Sequence, residues 1–64
     1  MELNWKLDKF GEYWTEDGTY GIYEADKRHW VAWYNGKTID CKSLKNAKKV
    51  CSYHAGGDRS IFDQ

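Results

Sequence analysis

The chain lacks proline altogether, holds one methionine, and has no apolar run longer than residues 30–34. A bilayer-spanning helix needs about 20 consecutive apolar residues, so this sequence excludes one. Without proline, and with 41% hydrophobic and 31% charged residues, the composition is typical of a folded soluble module. Intrinsic disorder is not expected, because disordered chains contain few aromatic and few other apolar residues.

Cysteine is scarce as well, and the amino-terminal segment has little of what a secretion signal needs. Residues 1–6 show neither the basic end nor the apolar core of a signal peptide. We therefore expect a cytoplasmic protein. In a reducing cytosol Cys41 and Cys51 are expected to stay free thiols, although a bridge between a strand end and a helix is geometrically feasible.

The length allows one small domain over residues 1–64. Chains of this size bury only about 60% of the surface that their unfolded form exposes, which leaves a thin stability margin. Four tryptophans, five tyrosines and two phenylalanines offset this, because each aromatic side chain buries much apolar area for one ordered residue.

The net charge is zero, but the charges are unevenly distributed along the chain. Residues 1–26 carry seven acidic and two basic side chains, whereas residues 27–49 carry seven basic side chains and only Asp40. The sequence therefore predicts a dipolar molecule, with an acidic first half and a basic helix.

Two dipeptides predict the hairpins. Asp17-Gly18 and Asn35-Gly36 are strong signals for two-residue loops of type I′, in which both loop residues have positive φ. Each lies between aromatic segments that alternate with a period of two residues. The predicted strands of this antiparallel meander, which covers residues 12–42, are 12–16, 19–25, 29–35 and 37–42, with a further turn at 26–28.

A helix is predicted over residues 43–55. Ser43 is a suitable N-cap, and Gly56-Gly57 provides a residue that can adopt the left-handed conformation of a C-cap. The apolar positions at helical spacing are Leu44, Ala47, Val50, Cys51 and His54. The predicted fold is α+β, an antiparallel β-meander of three to four strands followed by one carboxy-terminal helix packed on one sheet face.

The two ends of the chain are less defined. In residues 1–10, Leu3, Trp5 and Leu7 alternate, so this segment is expected to form an arm or an extra strand. Residues 56–64 form a polar tail that contains the apolar pair Ile61-Phe62.

The hairpin register assigns each strand side chain to one face of the sheet. Two-residue loops pair Trp14 with Gly21 and Trp33 with Thr38, and directly paired residues share a face. The helix is expected on the face with the more compact side chains, which comprises Tyr13, Tyr20, Ile22, Trp30, Ala32, Tyr34, Ile39 and Cys41. The opposite face carries Trp14, Tyr23, Val31 and Trp33.

These last residues are the candidate partner-binding site. Clustered Trp and Tyr side chains supply the rigid contact area that is typical of interface hot spots. Alternatively, residues 3–7, Phe10 or Ile61-Phe62 fold over this face and form a second small core, or two copies of the chain pair through it. The sequence leaves these alternatives open.

Nucleic-acid binding is a second hypothesis. The basic side chains available for phosphate contacts are Arg28, Lys42, Lys45, Lys48 and Lys49. Zero net charge favours a solvated helix face instead, with cations near the negative end of the helix dipole. Glu12, Glu16 and Asp40, around the aromatic face, would also repel a single strand stacked there.

We expect no metal site, no cofactor and no catalytic residues. The residues Cys41, Cys51, His29 and His54 lack the Cys-x₂₋₄-Cys unit of structural zinc sites. Gly56-Gly57 follows a helix, whereas phosphate binding requires a helix to begin there. The sequence therefore predicts a non-enzymatic protein.

A series of motifs resembles small proteins encoded by tailed phages and prophages. They are Gly18-Thr19-Tyr20-Gly21-Ile22-Tyr23, Trp30-Val31-Ala32-Trp33-Tyr34, Gly36 and Ser43-Leu44-Lys45-Asn46-Ala47-Lys48. The resemblance covers about residues 18–54. It implies an anti-CRISPR or other anti-defence inhibitor, which binds and blocks a bacterial host protein or ribonucleoprotein complex in the host cytoplasm.

The same segment is similar, more distantly, to the DNA-binding domains of plant ethylene-response factors and to integrase arm-binding domains. Their packing pattern is matched by Tyr20, Ile22, Trp30, Ala32 and Tyr34. This resemblance implies that Arg and Trp side chains of a sheet face enter the major groove, yet Arg28 is the only arginine in the sheet region. The leading hypothesis is therefore the phage-type inhibitor, and the alternative is a small DNA-binding module.

Overall fold

Five strands precede one helix in the computed structural model, which describes residues 3–58 and 60–62. The elements are β1 (Trp5–Leu7), β2 (Tyr13–Thr15), β3 (Tyr20–Asp26), β4 (His29–Tyr34), β5 (Lys37–Cys41) and α1 (Leu44–Ala55). All strand pairs are antiparallel, and the order in the sheet is the order in the chain. The α+β meander with one carboxy-terminal helix is confirmed, but the sheet has five strands rather than the predicted three to four.

The additional strand is β1. It pairs with β2, with Trp5 opposite Thr15 and Leu7 opposite Tyr13. Pairing there satisfies the backbone groups that β2 would otherwise leave at the sheet edge. The loop between them is closed by Asp8, whose Oδ1 accepts the N–H groups of Phe10 and Glu12, each at 2.9 Å.

The two hairpin dipeptides form different turns. Asn35 and Gly36 have φ values of 50° and 79°, which confirms the type I′ prediction. In the first hairpin Gly18 has a φ of 76°, but Asp17 does not have positive φ, and a loop over residues 16–19 replaces the predicted two-residue loop. The register is unaffected, because one residue is added on each side and Trp14 still pairs with Gly21.

Asp17 accounts for the longer loop. Its Oδ1 accepts hydrogen bonds from the Thr15 hydroxyl at 2.9 Å and the Thr19 N–H at 3.0 Å. These hydrogen bonds hold the pKa of Asp17 below its ordinary value of 3.8, and the bond from the Thr19 backbone has the largest effect. The Thr15 hydroxyl also accepts the Tyr20 N–H at 3.1 Å. At this end of the hairpin, side-chain hydrogen bonds therefore replace the backbone hydrogen bonds between the two strands.

Both ends of α1 are capped as the sequence predicts. Ser43 Oγ accepts the N–H of Asn46 at 3.1 Å. At the other end Gly57 has a φ of 117°, its N–H donates to the His54 carbonyl, and the Asp58 N–H donates to the Tyr53 carbonyl, both at 3.0 Å. This is the Schellman arrangement. No helix in the described part of the chain is long and apolar enough to span a membrane.

The core lies between α1 and one sheet face. Its buried members are Tyr20, Ile22, Ala32, Cys41, Ala47, Cys51 and Phe62. Ala32 and Ala47 are fully buried, and their small side chains let the helix approach the sheet closely. Ile22, which is 1% exposed, fills the space beside them. The predicted choice of face for the helix is confirmed, because every strand residue assigned to that face belongs to this core or packs against it.

An aromatic cluster extends the core toward the carboxy-terminal tail. The Phe62 ring centroid lies 5.3 Å from that of His54, 5.6 Å from that of Tyr34 and 6.4 Å from that of Tyr20. The Tyr20 hydroxyl and His54 Nδ1 are 2.7 Å apart. Phe62 itself is 4% exposed, so this residue of the tail is an integral part of the core.

Candidate functional site

The sheet face opposite α1 carries all four predicted binding residues, Trp14, Tyr23, Val31 and Trp33; we call it the open face. Trp14 and Trp33 both pair with Gly21, and Tyr23 pairs with Val31 two residues farther along β3, on the same face. None of the four belongs to the core beneath α1. The structure therefore brings the predicted site residues together.

Gly21 makes room for the two indoles. A Cβ at Gly21 would lie 2.7 Å from Cζ3 of Trp14, so the indole lies directly against the glycine backbone. The Trp14 and Trp33 rings meet edge to face, with centroids 5.7 Å apart and an interplanar angle of 65°. The predicted register pairs Gly21 with Trp14 but does not reveal this role. The signal was a glycine in a strand interior, where close approach is common.

Gly21→Ala is expected to displace the Trp14 ring and to lower the free energy of unfolding by about 1–3 kcal/mol, as overpacking does. Chemical denaturation measures the loss, and the exciton signal of the indole pair in circular dichroism should weaken. In a Trp14→Ala background the ring is absent, so Gly21→Ala should be close to neutral. An equal loss in both backgrounds would contradict this packing.

The described terminal segments pack away from the open face. Leu3, Trp5 and Ile61 pack against the core on the helix side, where Phe62 is buried. Phe10 is 75% exposed and covers nothing. Among the alternatives that the sequence left open, a second core built from these segments is therefore wrong for the residues that the structure describes. Those residues leave the open face uncovered.

The open face offers contact area. Tyr23 is 36% exposed and the two indoles are half-buried, whereas Val31 is only 5% exposed, so the prediction of Val31 as a contact residue is wrong and it packs beneath its neighbours instead. Beside Trp33 lies a depression of about 310 Å³ that is also bordered by Gly18, Thr19 and Asn35 of the two hairpin loops. A rigid aromatic surface with an adjacent depression suits the binding of another macromolecule.

Charges of both signs surround the open face. Lys6 Nζ lies 3.6 Å from Glu16 Oε1, in the row of Trp14, and His29 Nε2 lies 3.1 Å from Asp40 Oδ1 on the β4–β5 side. Exposed pairs of this kind contribute about 0–1 kcal/mol to stability. A rim of mixed sign does not attract a phosphate backbone.

The lysines of the helix lie on the other side of the sheet. Lys45, Lys48 and Lys49 line a groove of about 470 Å³ between α1 and residues 3–5. The Lys48 ammonium is 5.2 Å from the centroid of the Tyr13 ring, which belongs to the helix side of the sheet. These lysines are therefore separated from the open face by the sheet.

The two other basic candidates are also apart from the open face. Lys42 borders a second groove, between β5 and α1. Arg28 is exposed in the β3–β4 turn, with a φ of 57°. The structure thus distributes the predicted phosphate contacts over the helix side and one turn, and does not bring them together with the indoles.

The cysteines and histidines are engaged in packing and pairing. Cys41 and Cys51 are both free and buried. His54 contacts the Tyr20 hydroxyl, and His29 contacts Asp40. In the described ranges, 3–58 and 60–62, no three His, Cys, Asp or Glu side chains are grouped so that they could hold a metal ion.

The Cys51 thiol is expected to be nearly inert. Burial, and to a lesser extent the neighbouring Cys41, raise the pKa of Cys51 from 9.0 to about 12. This lowers its thiolate fraction at neutral pH about a thousandfold. In a Cys41→Ala variant, alkylation by iodoacetamide followed by mass spectrometry should be slow in the native protein and fast in denaturant.

The same shift in the Cys51 pKa gives a pH dependence. The unfolded state loses this proton near the ordinary pKa of 9.0 and the folded state only near 12. The protonated Cys51 thiol therefore contributes its full share to the free energy of unfolding below pH 9.0, and this contribution is lost as the pH rises toward 12. Rapid native alkylation, or a Cys51→Ala variant with unchanged alkaline stability, would contradict this assignment.

Comparisons with known proteins give no match: no family model, no curated protein and no solved structure is significantly similar to this chain. The resemblances to phage proteins and to sheet-based DNA-binding domains therefore stay predictions from short motifs. The function is argued below from the geometry of the open face.

Proposed function

We propose that this chain is a non-enzymatic binding module that docks on a protein partner through the open face. The observation that carries the proposal is the Trp14–Trp33 pair. Its ring centroids are 5.7 Å apart, the pair lies over Gly21, and no described residue covers it. Two preordered indoles lose little conformational entropy on binding, and Trp is enriched among the residues that dominate interface energies.

The proposed partner is a bacterial protein or ribonucleoprotein complex, and the proposed role is that of a phage-type, anti-CRISPR-like or anti-defence inhibitor in the host cytoplasm. The motif order of residues 18–54 supports this choice. An inhibitor that blocks a surface needs no catalytic groups. The uneven charge, acidic before residue 27 and basic after it, would steer the encounter.

Binding to DNA through the sheet face is the rival function. The basic side chains Lys45, Lys48 and Lys49 favour it, but they line a groove on the helix side. Ion pairs of mixed sign surround the indoles. Because DNA affinity depends on released counterions and falls steeply with salt, salt dependence separates this function from an aromatic protein interface.

Affinity capture from a bacterial lysate, with and without nuclease, tests the proposal. Trp33→Ala is expected to weaken capture of the partner about 30-fold or more, as the loss of a hot-spot residue does. Capture should survive nuclease and moderate salt. Phe10→Ala is the matched control, because Phe10 is an exposed aromatic side chain outside the open face, and it should bind like the unmodified protein.

Two outcomes would refute this function. Capture that disappears with nuclease would assign the surface to nucleic acid. Equal capture by the Trp33→Ala and unmodified proteins would remove the open face from the interface. Circular dichroism of the variant is needed alongside, since a Trp33→Ala protein that unfolds would show instead that Trp33 serves the fold.

The inhibitor role has its own test in cells. In a bacterium with an active CRISPR–Cas system, expression of the chain should raise the plating efficiency of a targeted phage, and Trp33→Ala should abolish the increase. Unchanged plating with a chain that still captures its partner would separate the binding function from the anti-CRISPR role.

A further inference from the structure

The outer edge of β5 is a second exposed feature of the fold, next to the open face. β5 is the last strand of the sheet, and no described strand pairs with its outer side. In a hairpin closed by a two-residue loop, alternate residues bond to the partner strand. With Tyr34 opposite Lys37 and Ala32 opposite Ile39, the residues whose N–H and C=O turn outward are Thr38 and Asp40.

A mostly apolar groove of about 400 Å³ runs beside this edge, between β5 and α1. Ile39 and Cys41 form its strand side, and Val50 and Tyr53 its helix side. Tyr53 is 57% exposed although it is aromatic. An added strand would place the side chain opposite Ile39 on the helix side of the sheet, and hence in this groove.

The charge around the groove defines its occupant. Lys42 and Lys49 border it. Among the residues that the structure describes, Asp40 is the one acidic residue in the groove lining, and it contacts His29. This rim is complementary to acidic residues. A second copy of the chain paired through its own β5 edge would instead bring the lysines of the two rims together.

We propose that β5 and α1 form a docking site for an extended acidic peptide of a partner protein, which adds to the sheet as a sixth strand. The Thr38 and Asp40 backbone groups bond its main chain, and the groove between Ile39 and Tyr53 receives one apolar side chain. Lys42 and Lys49 bind acidic residues that flank this anchor. The mode is strand addition, in which the main chain supplies affinity and a pocket supplies specificity.

A library of random short peptides displayed on filamentous phage provides the probe. The enriched sequences should carry Asp or Glu next to an apolar residue, and a fluorescein-labelled synthetic copy gives the affinity by anisotropy. Thr38→Pro removes an outward N–H without removing a bond to β4, so it should weaken binding about tenfold, whereas Thr38→Ala should not. Lys49→Glu should also weaken binding.

If Thr38→Pro disturbs the fold, amide hydrogen exchange in the unmodified protein tests the same backbone contacts without a substitution. Binding of the labelled peptide should protect the Thr38 and Asp40 amides. Tyr23→Ala should leave peptide binding unchanged, because Tyr23 lies on β3, which does not pair with β5, and this separates the site from the proposed function of the open face. The proposal fails if no acidic sequence is enriched, if Thr38 and Asp40 stay unprotected, or if a dimer paired through β5 is found in solution by light scattering.

Discussion

Phe62→Ala is expected to bring the net stability close to zero, so that about half of the molecules are unfolded at room temperature. Phe62 is 4% exposed, and its ring contacts those of Tyr20, Tyr34 and His54. Deleting a buried phenylalanine costs about 3–5 kcal/mol. A single core in a domain of this size supplies about 3–5 kcal/mol of net stability, so the substitution removes nearly all of it.

Urea denaturation followed by tryptophan fluorescence measures this effect. Phe10→Ala is the matched control, since it deletes the same side chain at a position that is 75% exposed, and it should change the free energy of unfolding by less than about 0.5 kcal/mol. If the two variants have the same stability, the tail does not close the core.

The sequence was sufficient for the register of two of the four strand pairs, the hairpins at 17–18 and 35–36. Asn35-Gly36 specifies a type I′ loop, and from it Ala32 opposite Ile39 and Trp30 opposite Cys41 follow without further information. The first hairpin kept its register although its loop type was wrong. Asp17 bonds Thr15 and Thr19 instead of adopting positive φ, and the loop grew equally on both sides.

The sequence named an extra strand as one of two possibilities for residues 1–10 and assigned no face to the tail, because both depend on which surface is free. Leu3, Trp5 and Leu7 alternate equally well in a strand or an arm. The choice is made by the exposed edge of β2, which β1 completes. Ile61 and Phe62 have too short a pattern to indicate a face, and contacts with Tyr34 and His54 decide it.

For the candidate site, the register placed Trp14, Tyr23, Val31 and Trp33 together, but it could not show how they pack. The edge-to-face geometry of the indoles depends on the missing Cβ of Gly21, a three-dimensional property. Whether the face is covered depends on long-range contacts of the chain ends. The groove at the β5 edge could not be predicted from the sequence either, because Tyr53 is not on the apolar stripe of the helix.

Ile22 and Tyr23 are neighbours on opposite faces of β3, so a pair of alanine variants separates the structural face from the proposed binding face. Ile22 is 1% exposed beneath α1, and Ile22→Ala is expected to lower the free energy of unfolding by about 2–5 kcal/mol. Tyr23 is 36% exposed on the open face, so Tyr23→Ala should cost less than about 1 kcal/mol.

Partner capture should reverse this ranking. At a temperature where both variants are still folded, Ile22→Ala leaves the open face in place and should bind the partner normally, whereas Tyr23→Ala should bind several-fold more weakly. Urea denaturation and capture on the same two proteins therefore give a crossed result. A Tyr23→Ala protein that loses stability but retains binding would contradict this assignment. The aromatic residues opposite the helix would then stabilise the fold rather than the complex.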